Sequence, residues 1–151
     1  MNVKNEMLEQ LQRYYILWKE SNVIYEEWAK SQGLSINSLL ILYSFFGDSG
    51  NFTQKAISQK WHIPKQTVNT ILKDFEKRGY VKLISMPTDK RNKQIQLTPT
   101  GKQFSADIIT KLQKIELYVI EKMGLAQITN MNDELDHFVR LFREEGLKKD
   151  E

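Results

Sequence analysis

The chain has 151 residues, no cysteine and a net charge of +3. The absence of cysteine excludes disulfide bonds, thiolate metal sites and thiol-based redox sensing. With 40% hydrophobic and 27% charged residues, the composition is that of a globular protein rather than a disordered one, and the length suits a single domain or a small module with an oligomerisation element.

No membrane span or signal peptide is predicted. The longest apolar run, residues 39–46, is interrupted by Ser44 and is too short to cross a bilayer. The first ten residues, MNVKNEMLEQ, lack the apolar core of a signal peptide. We therefore expect a cytoplasmic protein that makes no membrane contact.

Two helices are predicted in the first third of the chain. Over residues 6–30 apolar and aromatic residues recur at helical spacing, with neither Pro nor Gly between them. Gly33 is a stop signal, and Ser35 can cap a second helix that reaches residue 46. This second helix is apolar over most of its circumference and so belongs in the middle of the structure. The polar cluster 47–51 predicts a turn.

The next stretch predicts two short helices joined by a tight turn. Thr53 can cap a helix over residues 54–60. Pro64 stands at a first-turn position of another helix, which runs to about residue 78 before Gly79 ends it. Its apolar residues follow the spacing i, i+3, i+4, i+7 of a buried stripe. They are Val68, Ile71, Leu72 and Phe75.

A basic hairpin and two more helices complete the prediction. Residues 80–84 and 94–97 are typical of short strands and bracket a polar turn at 87–93. Thr98-Pro99 is a helix start, with threonine as N-cap and proline in the first helical position. Apolar residues spaced alternately by four and three extend that helix to Met123. The pattern restarts at residues 129–132 for a last helix that ends at Gly146.

Charge is concentrated between residues 51 and 102. This stretch holds eleven Lys and Arg against three acidic residues, a net charge of +8, whereas the rest of the chain sums to −5. Such a patch is expected where a protein neutralises phosphates. Helix, turn, helix and basic hairpin in this order outline a winged helix-turn-helix. The predicted fold class is mainly α (α+β), with long N- and C-terminal helices whose apolar seam can pack on a helix of the same or a second chain.

This layout predicts a domain organisation. Residues 35–98 would form the DNA-binding lobe. Residues 1–34 and 99–146 would form a helical region, which the family resemblance given below implies to be the dimerisation region, and residues 147–151 a frayed tail.

The helix after Pro64 is the candidate recognition helix. Such a helix enters the major groove by its N-terminal half, so its exposed first two turns reach the base edges. Gln and Asn can bind adenine through two hydrogen bonds, and Thr can contact a thymine methyl, whereas later lysines meet phosphates. The plain alternative is a polar face that is only solvated. The predicted DNA contacts are Lys65, Gln66, Thr67, Asn69, Thr70 and Lys73.

The hairpin offers cations to the minor groove, whose negative potential attracts arginine. Lys90, Arg91 and Lys93 are the predicted contacts, with Arg91 the best candidate. Asp89 would orient Arg91 or cap the turn. The alternative for Arg91 is a solvated charge or an ion pair with Asp89.

Asp89-Lys90-Arg91, followed after five residues by Leu-Thr-Pro-Thr-Gly at 97–101, matches the D-x-R-x5-L-T-x-x-G pattern of the MarR family. The chain resembles that family of winged-helix transcriptional regulators. The resemblance implies a homodimer built from the first helix and the last two, with paired lobes on a pseudo-palindromic operator. It also implies Arg91 in the minor groove and the helix after Pro64 in the major groove of double-stranded DNA.

Two further sites are candidates. Many regulators similar to this one hold a small aromatic or anionic effector, and Tyr15, Trp18 and Tyr43 could line such a pocket. An aromatic stripe at helical spacing is also typical of a core or a dimer interface. The predicted dimer-interface residues are apolar positions of the long helices. They are Leu8, Leu11, Leu112, Ile115, Val119, Leu135, Phe138 and Phe142.

Neither catalysis nor metal binding is predicted. The two histidines, His62 and His137, are far apart, and His137 has only Glu134 at a chelating spacing. No glycine-rich phosphate loop or nucleophile motif is present. We expect no cofactor and no enzyme activity, but a sequence-specific, ligand-responsive repressor. The alternatives are a winged helix that binds another protein, or a non-specific DNA binder.

Overall fold

The computed structural model describes residues 2–46 and 52–148. The turn predicted at 47–51 and the tail residues 149–151 lie outside this described part. The elements in chain order are α1 (Val3–Ser31), α2 (Ile36–Phe45), β1 (Phe52–Thr53), α3 (Gln54–Trp61), α4 (Lys65–Lys77), β2 (Val81–Met86), β3 (Asp89–Leu97), α5 (Pro99–Met123) and α6 (Leu125–Gly146). Long helices with one small sheet confirm the predicted fold class.

The chain divides into two compact units, Met1–Ile109 and Thr110–Glu151. The first unit contains α1 to α4, all three strands and the first part of α5. The second contains the remainder of α5 and α6. The predicted domain boundaries at residues 34/35 and 98/99 stay a prediction.

Local capping sets the ends of α1 and α2. The Asn2 side chain accepts a hydrogen bond from the backbone N–H of Lys4 at the start of α1. Ser35 Oγ accepts from Ser38 N at 3.1 Å, which satisfies one of the free N–H groups in the first turn of α2. Both helices and the Ser35 cap therefore follow the prediction.

The core of the first unit is centred on α2, as its apolar composition predicted. Leu39, Ile41 and Leu42 of this helix are almost fully buried. Ser105 of α5 is buried as well, and its hydroxyl donates to the carbonyl oxygen of Leu42 at 3.0 Å. Each fully buried large apolar side chain contributes about 1.5–3 kcal/mol, so this central helix organises the lobe around it.

The sheet is antiparallel with the order β1-β3-β2. Strand β1 was not predicted, and it pairs Phe52 with Ile95. The hairpin turn at 87–93 was wrong in extent. Met86 pairs with Asp89, so only Pro87 and Thr88 form the turn, and residues 90–93 belong to β3. Pairing resumes at Lys93, which lies opposite Ser85, so residues 90–92 belong to β3 without a partner on β2.

The second unit consists of helix on either side of Gly124. Its φ of +98° is a conformation open to glycine, and it separates α5 from α6. The last helix therefore begins at Leu125, ahead of the predicted restart at 129–132. The apolar pattern misplaced this start because the first turn of α6 is exposed. In the described part of the chain, no helix has both the length and the apolar composition to cross a membrane.

Candidate nucleic-acid interface

The turn between α3 and α4 is held by its own side chains. His62 ends α3 in the left-handed region, at φ 52° and ψ 41°. Ser58 Oγ donates to the carbonyl oxygen of Ile63 at 2.7 Å, and Ile63 N donates to the carbonyl oxygen of Ser58 at 3.2 Å. The buried Ile63 anchors this turn in the core. The angle between the two helices is thereby fixed from the α3 side.

Helix α4 buries one face and presents the other. Val68, Leu72 and Phe75 are buried, as the stripe predicted. Glu76 Oε2 accepts from Leu83 N at 3.2 Å and so holds the helix against β2. On the opposite face Lys65, Gln66, Thr70 and Lys73 are exposed, and Thr67 and Asn69 are half-buried. The structure thus brings all six predicted recognition-helix residues onto one accessible helix.

Two of these side chains already have partners within the protein. Thr70 Oγ1 donates to the carbonyl oxygen of Gln66 at 3.0 Å. Asn69 Oδ1 accepts from Gln54 Nε2 at 3.2 Å. Sequence reasoning missed Gln54, because its contact with α4 depends on how the two helices cross. Two amides fifteen residues apart carry no local signal of that crossing.

The wing is the hairpin of β2 and β3. Ser85 pairs with Lys93 and Met86 with Asp89, so residues 90–92 bulge out of the ladder. Asp89 Oδ1 accepts from the backbone N–H of Arg91 at 3.1 Å. Lys90 and Arg91 are exposed, whereas Lys93 is half-buried. The cations therefore lie on a bulged strand rather than in the predicted turn.

Asn92 connects the wing to the helix-turn-helix. Its Oδ1 accepts from the backbone N–H of Lys55 at 3.1 Å, in the first turn of α3. Thr53 Oγ1 accepts from Ala56 N at 3.1 Å in the same turn. Two free N–H groups of α3 are thus satisfied, one locally as predicted and one by the wing. The second was missed because Asn92 lies 37 residues away.

The start of α5 explains the Leu-Thr-Pro-Thr-Gly stretch. Thr98 Oγ1 donates to the carbonyl oxygen of Gly79 at 2.6 Å and accepts from Gly101 N at 3.0 Å. Thr98 N donates to the carbonyl oxygen of Tyr80 at 3.0 Å. A Cβ on Gly101 would lie only 1.9 Å from that same oxygen. Thr98 and Gly101 thus allow the first turn of α5 to pack closely on Gly79 and Tyr80, the residues between α4 and β2.

The predicted effector residues lie on two helices, Tyr15 and Trp18 on α1 and Tyr43 on α2. Tyr15 lines an open groove formed by α1 alone, whose other lining residues are Ile16, Lys19, Glu20, Val23, Ile24 and Glu27. Trp18 lies on the same helix outside that lining. Tyr43 packs edge-on against Trp61, with ring centroids 6.1 Å apart. The pocket stays a prediction. Over residues 2–46 and 52–148, no three His, Asp or Glu side chains are grouped to hold a metal ion.

Seven of the eight predicted dimer-interface residues are exposed in the single chain. They are Leu8, Leu11, Ile115, Val119, Leu135, Phe138 and Phe142. Leu112 is the exception. It is only 5% exposed, so its side chain is not available to a second chain in this conformation. The spacing that selected Leu112 does not distinguish a seam within one chain from a seam between two.

Comparison with known proteins agrees with this architecture. Residues 32–92 match a family model described as "MarR family". A MarR family regulator from Neisseria meningitidis, NMB1585, is 28% identical, with a TM-score of 0.76 over 95% of this chain and 96% of that one. By this match and this structural similarity, the chain is similar to the MarR family of regulators.

Two further proteins are similar to this chain, one in sequence and one in fold. The transcriptional regulator SarZ of Staphylococcus epidermidis is 28% identical over 128 residues, which are 83% of each protein. The MarR protein of Staphylococcus aureus, solved in complex with salicylate and kanamycin, shares the fold at 21% identity, with a TM-score of 0.69 over 94% of this chain and 97% of that one. The winged-helix fold is the one that the sequence predicted, and the chain is similar to transcriptional regulators of the MarR family.

Proposed function

We propose that this protein is a repressor that binds a pseudo-palindromic operator in double-stranded DNA as a homodimer and responds to a small ligand. The proposal rests on one observation: α4 and the wing are both exposed, and the wing is linked to the helix-turn-helix. Helix α4 packs its buried face into the core of the first unit and leaves its other face exposed. The hydrogen bond from Lys55 N to Asn92 Oδ1 links the wing to α3, the other helix of the helix-turn-helix. Both belong to the stretch with a net charge of +8.

The exposed residues divide by role. Gln66, Thr67 and Asn69 lie in the first two turns of α4 and would read base edges in the major groove. The hydroxyl of Thr70 is engaged with the Gln66 carbonyl, which leaves its methyl group to contact a thymine methyl. Lys65 and the later Lys73 would neutralise phosphates.

The wing would supply the minor-groove contact. Arg91 is exposed at the centre of the bulge, and its backbone is held by Asp89. A guanidinium fits the strong negative potential of a narrow minor groove. Lys90 and Lys93 on either side would add phosphate contacts. Asp89 thereby acts as an orienting residue rather than as a DNA contact.

Homodimer formation is supported by exposed apolar residues on the long helices. No residue of α6 is buried in the single chain, although Leu135, Phe138 and Phe142 repeat at helical spacing. An isolated helix with an exposed apolar stripe gains its stability from packing on a partner. A two-fold dimer would place two α4 helices about 34–36 Å apart for successive major grooves.

Ligand response would follow from a change in that separation. A small rotation of the lobes takes two recognition helices out of register with the grooves. Tyr15, Trp18 and Tyr43 are the candidate contacts for an aromatic or anionic effector. The salicylate complex of the Staphylococcus aureus protein supports this ligand class, since salicylate is both aromatic and anionic.

The experiment is a selection of short genomic duplexes by the full chain at about 150 mM salt, followed by affinity measurements on the best site and its scrambled version. We expect a palindromic site favoured about a thousandfold. Arg91→Ala should weaken binding and reduce the salt slope by about two, since the homodimer loses one charge contact at each of its two wings. Lys114→Ala on α5 is the matched control and should change neither.

Each alternative predicts a different result. A protein-binding winged helix would show no preferred sequence and a shallow salt slope. A non-specific binder would show a steep slope but equal affinity for both duplexes.

A further inference from the structure

Gln54 and Asn69 form a pair that joins α3 to α4. Gln54 is the first residue of α3, and its Nε2 donates to Oδ1 of Asn69 at 3.2 Å. Both residues are half-buried. Asn69 lies on the second turn of α4, where the proposed function places a base-reading side chain.

In this hydrogen bond the Asn69 amide turns its Oδ1 towards Gln54. An asparagine amide carries an acceptor oxygen on one side and an NH2 donor on the other. With Oδ1 turned to Gln54 on α3, Nδ2 lies on the side away from α3. The pair therefore leaves the donor half of Asn69 available to an external partner.

We propose that Gln54 is a positioning residue that determines the base preference of Asn69. In the major groove guanine presents the acceptors O6 and N7, and thymine presents O4. Adenine presents the acceptor N7 beside its amino donor, whereas cytosine presents an amino donor alone. An amide held with Nδ2 outward therefore favours a base with an acceptor, and disfavours cytosine, at the contacted position. An amide turned the other way favours adenine or cytosine. The inference rests on the proposed function, because it requires that α4 reads DNA.

The backbone around Gln54 is held firmly enough for this role. Strand β1 ends at Thr53 and pairs with β3, which fixes the chain immediately before Gln54. The Thr53 hydroxyl and the Asn92 side chain then accept from the two N–H groups that follow. The Gln54 side chain thus projects from a fixed point, so a change of its amide acts on Asn69 rather than on the helix.

Gln54→Glu tests the inference in the full-length protein. A carboxylate accepts hydrogen bonds and cannot donate one, so Asn69 must turn its Nδ2 towards the new carboxylate and its Oδ1 outward. A carboxylate in the first turn of a helix is compatible with folding. Gln59→Glu is the matched control, since Gln59 is an exposed residue of the same helix and the substitution adds the same charge.

The readout is the base preference in duplex selection, at the position where Asn69→Ala abolishes discrimination. We expect wild type to favour guanine or thymine over cytosine there by about tenfold. Gln54→Glu should favour adenine or cytosine by a similar factor, and Gln59→Glu should keep the wild-type preference while lowering affinity at every sequence alike.

The opposing outcomes are distinct. The positioning role of Gln54 is wrong if Gln54→Glu lowers affinity but keeps the wild-type base preference, or if Asn69→Ala changes the base preference at no position. Either result leaves the proposed function uncontradicted. If the wild-type protein selects no sequence, the proposed function is wrong, and this inference is wrong as well.

Discussion

At Gly101 the backbone of α5 passes so close to Tyr80 that no side chain fits. A Cβ there would meet the Tyr80 carbonyl oxygen at 1.9 Å, and a backbone atom cannot move aside as a flexible side chain can. We expect Gly101→Ala to lower the free energy of unfolding by about 3 kcal/mol or more, because α5 must shift away from the lobe. Urea unfolding measures this loss.

Gly79 provides the control for that substitution. It has a φ of +78°, but nothing lies within 4 Å of a Cβ built on it. Gly79→Ala should therefore cost only the conformational strain of about 1–2 kcal/mol. Equal losses for the two variants would show that the contact with Tyr80 is relieved at little cost.

His62 is the non-glycine residue with positive φ in the described chain. A β-branched side chain is strained in this conformation, whereas glycine is not. We expect His62→Val to lower the free energy of unfolding by about 1–2 kcal/mol and His62→Gly to stay within about 1 kcal/mol of wild type. Thermal unfolding of the two variants side by side is the measurement. A valine variant as stable as the glycine variant would contradict the expected strain.

At the level of elements, Asn92 makes the wing part of the cap of α3. Asn92→Ala removes the acceptor for Lys55 N, and we expect a loss of about 1 kcal/mol, the usual cost of losing a side-chain cap. Hydrogen exchange at the Lys55 amide should become faster. Asn92→Asp keeps an acceptor at a helix N-terminus and should retain both stability and protection. If the Lys55 amide also exchanges faster in the aspartate variant, loss of the acceptor at residue 92 is not the cause.

How much of the structure the sequence predicts depends on how local its cause is. Ser35, Thr53 and Thr98 cap helices within three residues of themselves, and their roles are readable from a short window. The pairing of β1 with β3 and the contact between Gln54 and Asn69 join segments that only the folded chain brings together.

The same reasoning applies to the candidate site. The cations of the wing and the polar residues of α4 were predicted by composition and helical phase. The bulge at 90–92 could not be, since it depends on the register of two strands.

For the whole molecule, the decisive question is what covers the exposed apolar residues of the long helices. We expect Leu135→Glu to raise the dissociation constant of the homodimer at least a hundredfold, because burying an unpaired carboxylate costs about 3 kcal/mol. Leu135 is 47% exposed in the single chain, so the substitution leaves the fold of one chain intact. Sedimentation velocity across a dilution series measures the change.

Glu134→Gln is the neighbouring control on α6 and should leave association unchanged. A dimer of Leu135→Glu as tight as the wild type would show that α6 lies outside the interface.

The contact between Gly101 and Tyr80 also has a consequence for other chains with the same motif. The Leu-Thr-x-x-Gly half of the motif stabilises the junction between the wing and α5, whereas the Asp-x-Arg half stabilises the bulged strand. The two halves of the motif have separate structural roles, so a related chain can lose one half and keep the other. A chain that keeps the Leu-Thr-x-x-Gly half but has lost the arginine would still fold as a winged helix, and under the proposed function its binding to DNA would be weaker. The second half of the motif is thus a marker of shape, and under the proposed function the first half is a marker of DNA binding.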